Sequence, residues 1–316
     1  MILITGGAGF IGSNYLYKLC SQGQAGDIVC VDKLTYAANF EYIRPLVKSG
    51  KVMFEPQDIA SRDGMRAIFK KYQPEFVVNF AAESHVDNSI KNYNPFIKTN
   101  ILGTINLLEC SLDSNIKKFV HISTDEVYGS LALDEDRSFT ETSHYETNSP
   151  YSASKAASDC FVRAFYKTYS LPTVITHCSN NYGPNQNKEK FIPTILKNAL
   201  SNNKIPVYGT GENIRDWLYV DDHCDGINLA LLNGVNGEKY NIGGGQEVSN
   251  IDLVKMILDI LDKSHDLIDF VTDRPGHDLR YSIDCTKIKD QLGYKPQHSL
   301  QQGLEKTIKW YSDNNV

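Results

Sequence analysis

Tyr151 and Lys155 stand four residues apart in a stretch of helical character, where that spacing sets a phenol and an ammonium on one face. An unperturbed phenol, with a pKa of about 10, is a poor base at neutral pH. A neighbouring cation favours its ionised form, which can take a proton from an alcohol. No other Tyr in the chain is followed by Lys at that spacing. A surface ion or hydrogen-bond pair is the other reading. Upstream, Ser123-Thr124-Asp125-Glu126 brings hydroxyls and two adjacent carboxyls together. One carboxyl could abstract a proton while the other donates one; a solvated turn or a helix cap is an equally ready use. A plain alcohol oxidation needs no second acid and base, so the pair implies chemistry beyond it.

These residues need a frame. Short β-branched runs alternate with amphipathic stretches through the first half, the pattern of βαβ units and a parallel sheet. The runs predict strands at Ile2 to Thr5, Ile28 to Asp32, Val52 to Glu55, Phe76 to Ala81, Phe119 to Thr124 and Val174 to Cys178, apolar enough to be covered on both faces. Helices are expected at Ile11 to Ser21, Arg62 to Lys71, Phe96 to Asp113 and Ser152 to Tyr169. After Cys178 come loops rich in Asn, Gly and Pro, with amphipathic helices at Asn250 to Leu261 and Leu300 to Tyr311 that take Asn250 and Ser299 as N-caps. The fold class is therefore α/β, a doubly wound parallel Rossmann-type sheet with a smaller C-terminal α/β substrate-binding domain. Residues 1–178, with 217–242 returning, would form the first unit; 179–216 and 243–316 would form the second.

The first strand runs into Gly6-Gly7-Ala8-Gly9-Phe10-Ile11-Gly12, a G-x-x-G-x-x-G turn that opens a helix. Glycine there permits a tight turn and close backbone approach, so helix-terminal amides can hold a pyrophosphate; the other reading is a tight turn only. Asp32 ends the second strand, where a carboxylate accepts from an adenosine ribose and repels a 2′-phosphate, favouring NAD over NADP, although a turn-capping Asp would look the same. Strand, glycines and acid in register make a dinucleotide site the expectation.

Composition narrows the class. The 316 residues suit about two domains at roughly 150 residues each, and 41% hydrophobic with 22% charged residues is a soluble globular balance. A net charge of −6 argues against a basic surface for nucleic acid or anionic lipid. Seven scattered cysteines without a C-x-x-C pair argue against a disulfide framework or a zinc site. No histidine pairs with another His or Cys at ligand spacing, so no metal is expected. His121 and His177 lie in strands and read as core, while His144 and His298 read as surface. The chain opens on Met1-Ile2-Leu3-Ile4-Thr5 without a basic leader, and no run approaches 18 apolar residues, so a cytoplasmic location away from membranes is expected.

The motifs together resemble the extended short-chain dehydrogenase/reductases and, within them, the dTDP-glucose 4,6-dehydratase family. The segments that carry the likeness are Gly6 to Gly12, Ala81 to Asp87, Ser123 to Gly129, Tyr151 to Lys155, Asn180 to Pro184, Arg215-Asp216-Trp217 and Arg274 to Asp278. Related epimerases commonly lack acids after the Ser or Thr, so Thr124-Asp125-Glu126 is the most specific of these.

The resemblance implies NAD as cofactor, dTDP-glucose as substrate and a homodimer built on the 96–113 and 152–169 helices. It implies that Thr124 assists Tyr151 at the sugar O4, that Asp125 is the acid at O6 and Glu126 the base at C5, and that Lys155 positions the nicotinamide ribose. Cofactor contacts implied are Gly6, Gly9, Phe10, Ile11, Gly12, Asp32, Lys33, Thr35, Asp58, Ile59, Ala81, Ala82, Thr99, Tyr151 and Lys155. Substrate contacts implied are Ser84, His85, Thr124, Asn180, Glu189 and Lys190 near the sugar, Arg215, Asn250, Arg274 and His277 near the diphosphate, and Tyr208 beside the base. Asn185 to Lys188 depart from the family's usual aromatic and proline residues. A UDP-glucose 4,6-dehydratase, a 4-epimerase and a non-catalytic NAD-binding protein are the alternatives.

Overall fold

The structure, a computed structural model, describes residues 1–24, 26–273 and 276–314. Its strands are β1 (Ile2–Thr5), β2 (Ile28–Val31), β3 (Met53–Glu55), β4 (Phe76–Asn79), β5 (Lys118–Thr124), β6 (Thr173–Cys178), β7 (Asn180–Tyr182), β8 (Ile205–Tyr208), β9 (Ile214–Tyr219), β10 (Lys239–Ile242), β11 (Glu247–Ser249) and β12 (Ile268–Val271). Seven of these form one all-parallel sheet in the order β10-β6-β5-β4-β1-β2-β3. The chain winds outward from β1 in one direction, then crosses to β4 and winds in the other. Between β1 and β4 the direction of winding reverses, and the crevice beyond the strands' C-terminal ends is where such a sheet receives ligands.

Both faces of this sheet are covered, which is why its strands read as nearly unbroken apolar runs. Leu3, Ile4, Val29 and Val77 are fully buried. Six strands and four helices of the first half lie within a few residues of the sequence expectation. Asp32 falls one residue beyond β2 rather than at its end. The expected Phe96 to Asp113 helix is less regular: a short turn at Asn94–Phe96 passes through a π-helical segment at Ile97–Gly103 into an α-helix at Thr104–Asp113. Single π turns of this kind recur at functional sites, and this one carries Thr99 to the cleft wall.

The second half holds more regular structure than its loops suggest. Helices Phe191–Leu200 and Val220–Asn233 were not legible, nor were β7 to β12. The Val220–Asn233 helix and β10 return to the large sheet; Gly226 lets the helix lie so close that an added Cβ would sit 2.7 Å from Ile242. β7, β9 and β11 make a small mixed sheet, with β8 and β12 a separate pair. A second apolar core joins Tyr182, Ile195, Trp217, Leu253, Ile257 and Leu304 beneath these strands. The N-cap of the Asn250–Ile260 helix is Ser249, not Asn250: the Ser249 hydroxyl accepts from the Asp252 amide at 3.1 Å. Ser299 caps the Leu300–Asp313 helix as expected, in a reciprocal box with Gln302.

Candidate active site

One long cleft runs along the C-terminal edge of the large sheet. Its floor opens with the glycine turn. Gly6 adopts φ +69°, and a Cβ there would meet the Ala81 backbone at 2.6 Å, so β1 and the loop after β4 can close only around glycine. Gly12 is equally constrained, a Cβ lying 2.4 Å from the Gly6 carbonyl. Gly9 differs: its φ is −81°, and a Cβ would meet only the Gly6 carbonyl, at 3.2 Å. The first intrahelical bond runs from the Ser13 amide to the Gly9 carbonyl, and no side chain caps this helix end. The Phe10, Ile11 and Gly12 amides ahead of Ser13 have no partner within the helix and stand at the cleft as a ready anion cradle.

At the end of β2, Asp32 accepts from the Ala8 amide at 3.0 Å through one oxygen and from the Leu34 amide at 2.8 Å through the other. Both sequence readings of Asp32 thus have structural content: it ties the glycine turn to the next loop, and it lines the cleft. Burial raises its carboxyl above the ordinary range against these two amides. Lys33 donates to the Thr99 hydroxyl at 3.0 Å and lies 3.7 Å from Asp58 and 3.9 Å from Glu83. All fifteen expected cofactor contacts, from Gly6 through Asp58 and Ile59 to Lys155, line this cleft. The donor set fits a dinucleotide: uncapped helix amides for a pyrophosphate and a strand-end carboxylate for a ribose.

The far end of the cleft joins the strand end and the long helix Pro150–Tyr169. Ser149 caps that helix in a box with Ser152, and Tyr151 is held by its own amide donating to Ser89 Oγ at 3.2 Å and by the edge of Phe96. Asn100 from the π segment donates to Ser154 at 2.8 Å, locking the same turn. Lys155 is buried and donates to the Ile122 carbonyl at 2.6 Å. Burial lowers its proton affinity, with Asp159 opposing.

Beyond β5 the chain turns into a 3-10 segment, Asp125–Tyr128, whose Glu126 amide donates to Thr124 Oγ1 at 3.3 Å. The Thr124 hydroxyl donates to Asp125 Oδ1 at 3.3 Å. Asp125 is 2% exposed; burial first, then the charges of Glu126 and Asp216, push its carboxyl well above the usual range. Burial and the charge of Glu126 likewise raise Tyr151, so the phenol keeps its proton and the lysine is engaged with a carbonyl rather than ionising it.

Of the expected substrate contacts, Ser84, His85, Thr124, Asn180, Glu189 and Lys190 line the cleft. Lys190 donates to the Ser84 carbonyl at 2.9 Å, and His85 lies 3.6 Å from Glu189. Arg215 does not line it: its guanidinium donates to the carbonyls of Ile214 and Asp278 at 2.7 and 2.8 Å and lies over the Tyr281 ring. It nevertheless acts electrostatically on Asp125. Tyr208 is 44% exposed and meets the His277 ring edge-on, with Asn250 at the start of its helix; these three lie away from the cleft lining. Arg274 lies outside the described residues.

Sequence reading missed Glu83, Cys178, Ser179, Asn181, Gln186 and Asn187 as cleft-lining residues, and Asp216 as a neighbour of Asp125. Glu83, Asn181, Gln186, Asn187 and Asp216 fall inside segments singled out in the sequence, and Cys178 at a strand end, but none was named as a contact. His121 and His177 are buried as expected but in a polar network, His144 is exposed as expected, and His298 is half-buried, 3.0 Å from Asp222. Among the described residues no group of three or more His, Cys, Asp or Glu is arranged to hold a metal, and no helix is long and apolar enough to cross a membrane.

The family model described as GDP-mannose 4,6 dehydratase matches residues 3–307. A probable dTDP-glucose 4,6-dehydratase of Sinorhizobium fredii is 49% identical over 99% of this chain and 93% of its own length. The dTDP-glucose 4,6-dehydratase of Haemophilus influenzae is 47% identical, covering 99% and 98% respectively. The dTDP-glucose 4,6-dehydratase of Streptomyces venezuelae, solved with NAD bound, superposes with a TM-score of 0.95 at 44% identity over 99% of this chain and 97% of that one. The chain belongs to the extended short-chain dehydrogenase/reductase family and, within it, to the dTDP-glucose 4,6-dehydratases.

Proposed function

We propose that this chain converts dTDP-glucose to dTDP-4-keto-6-deoxyglucose with NAD as a recycled cofactor. The observation that carries the reading is the meeting, in one cleft, of the uncapped glycine turn, Tyr151 with Lys155, and the Thr124-Asp125-Glu126 turn. Held by the glycine turn, Asp32 and Lys155, bound NAD would supply the hydride chemistry, from C4 at the start and to C6 at the end. Without cofactor the buried phenol of Tyr151 keeps its proton; the positive nicotinamide ring of bound NAD would favour the phenolate, which then takes the O4 proton beside Thr124. The ketone at C4 acidifies the C5 proton, because the carbanion left behind is an enolate, and Glu126 removes it. Asp125, held protonated by burial, hands its proton to the departing O6 hydroxyl. Water leaves, and Glu126 returns a proton to C5.

Lys155 orients the cofactor ribose from its place against the Ile122 carbonyl, and Asp32 accepts from the adenosine ribose. Lys190 and His85 flank the sugar. Arg215, committed to carbonyls, acts on the substrate through the shape of its loop and through its charge rather than as an open phosphate fork. Residues 1–178 with the returning 217–242 segment serve the cofactor, apart from β9, which joins the small sheet; 179–216 and 243–316 serve the nucleotide sugar. Exposed Ile97, Leu102, Phe161 and Tyr169 on the 97–103 and 150–169 helices suit a two-fold contact with a second copy. The seven free thiols suit the reducing cytoplasm.

Purified chain supplied with dTDP-glucose and NAD is expected to develop the alkaline absorbance of a 4-keto-6-deoxy sugar and to incorporate solvent deuterium at C5. A UDP-glucose reaction run beside it should be slower. Tight NAD binding with no keto sugar from either nucleotide would overturn the assignment.

A further inference from the structure

Behind the catalytic groups, a polar network is sealed into the protein between β5, β6 and the Pro150–Tyr169 helix. Its centre is Asp159, 1% exposed. One carboxylate oxygen, Oδ2, accepts from Ser123 Oγ at 2.8 Å and from the Tyr145 hydroxyl at 3.1 Å, with His177 Nε2 also 3.1 Å away. The other, Oδ1, has no hydrogen-bond partner and lies 3.5 Å from His121 Nε2. His177 bridges the carboxylate and the Tyr128 hydroxyl, its Nε2 3.1 Å from Asp159 and its Nδ1 3.1 Å from the Tyr128 oxygen. Tyr128 in turn donates to Asn241 at 2.9 Å.

Ser123 and Tyr128 bracket the Thr124-Asp125-Glu126 triplet. Asp159 is also one helical turn from Lys155 and two from Tyr151, on the same face. A buried carboxylate is costly, and a hydrophobic residue would pack this core without that cost, so its presence calls for a reason other than stability. We propose that Asp159 is a positioning residue: it clamps both ends of the Ser123–Tyr128 segment, directly at Ser123 and through His177 at Tyr128, and balances the charge of Lys155. One buried anion thereby fixes the acid and base against the tyrosine they work with. This inference builds on the reading in the preceding subsection and adds a residue that touches no substrate.

The surrounding charges agree. Burial would raise Asp159, but the donors from His177 and the charge of Lys155 bring its carboxyl below the ordinary range, so it stays ionised. His121, pushed down to about 3 by burial and by Lys155, stays neutral. From β10, Lys239 faces the network across the Tyr145 ring, and Glu141 binds the Asn241 amide at its edge. Tyr128 and Tyr145 hold their protons, raised chiefly by burial.

Three variants test the proposal on the full chain. Ser123→Ala cuts the direct clamp and leaves the charge: kcat should fall on the order of 10-fold to 100-fold with KM within about two-fold, because displaced catalytic groups lose rate rather than binding. Amide hydrogen exchange in the 118–129 segment should quicken while the pH profile keeps its shape. Asp159→Asn removes the charge as well, so the alkaline limb of kcat should move to lower pH as Lys155 loses its balancing anion, and Asp159→Glu should restore the limb in part. Tyr128→Phe loosens the distal end and stands in if Asp159→Asn does not fold. Folded Asp159→Asn or Ser123→Ala with unchanged kcat, profile and exchange would overturn the proposal. A wild-type chain inert toward dTDP-glucose whose Ser123→Ala variant still loosened the 118–129 segment would instead overturn the proposed reaction and leave the clamp standing.

Discussion

Two alanine substitutions in the glycine turn should fail in opposite ways, and the contrast tests whether this helix end holds a pyrophosphate. At Gly12 a Cβ would come within 2.4 Å of the Gly6 carbonyl and 2.8 Å of the Gly7 Cα, both backbone atoms, so the turn itself must move. Overpacking of that kind costs about 1–3 kcal/mol. With roughly 2–4 °C of Tm per kcal/mol for chains somewhat shorter than this one, a drop of several degrees is expected for Gly12→Ala. At Gly9 the φ of −81° suits any residue and the only close atom is the Gly6 carbonyl at 3.2 Å, so Gly9→Ala should melt within about a degree of wild type. Its methyl group would stand in the cleft over the uncapped amides. Holding a phosphate off even one such charge-assisted bond forfeits about 1.5–3 kcal/mol, a loss of roughly 10-fold to 150-fold in NAD affinity. Differential scanning fluorimetry gives the first quantity and isothermal titration with NAD the second. Gly9→Ala binding NAD as tightly as wild type would refute the cradle, and Gly12→Ala melting unchanged would refute the packing.

Glu126→Gln should leave NAD affinity unchanged and slow solvent exchange at C5 by about 10²–10⁴, the usual range for a lost general base; near-normal dehydration would end its assignment. Tyr151→Phe should stop turnover before that step, so that no C5 exchange and no reduced cofactor are seen by NMR and by nicotinamide absorbance. Asp125→Asn should slow water loss more than oxidation, with the reduced cofactor accumulating in stopped flow. Because the folded state raises the Asp125 carboxyl, the stability it contributes is present below the ordinary carboxylate range and lost as pH rises through its folded value. Urea midpoints of Asp125→Asn should therefore exceed those of wild type increasingly toward alkaline pH; a constant difference would contradict the buried, protonated acid.

What the chain's order makes local was legible. The glycine turn, the triplet and the Tyr-Lys pair are each a few consecutive residues on a strand end or a helix start, and the strands that carry them are apolar on both faces. The residues not foreseen arrive from elsewhere. Asp216 reaches Asp125 from β9, Cys178 and Ser179 from the end of β6, and Gln186 and Asn187 from a loop. The Phe191–Leu200 helix hides behind Pro193 in its first turn, a tolerated position that resembles a break. The Val220–Asn233 helix hides behind Asp221, Asp222 and Gly226, whose roles are a charged first turn and close contact with β10. Three- and four-residue strands such as β7 and β11 owe their existence to partners, and periodicity cannot announce them. Arg215, expected at the diphosphate from its type, donates here to three backbone carbonyls, partners that its sequence neighbours could not announce.

Adjacency in sequence would seem to deny Asp125 and Glu126 opposite roles, since two carboxyls side by side should share one environment. The 3-10 turn removes the difficulty. At three residues per turn, neighbours point about 120° apart, and Thr124, by accepting the Glu126 amide, fixes where that turn begins. Asp125 is thereby driven into the interior at 2% exposure, toward Asp216, while Glu126 remains half-buried at the cleft wall. Desolvation then loads the proton onto Asp125, and the charge of Glu126 helps to keep it there. An extended strand would also have parted the two side chains, but to opposite faces of the sheet, leaving only one of them at the substrate. Chemistry that needs a protonated acid and an ionised base a few ångströms apart, both reaching one sugar ring, is served by ending the strand at Thr124 and turning tightly there.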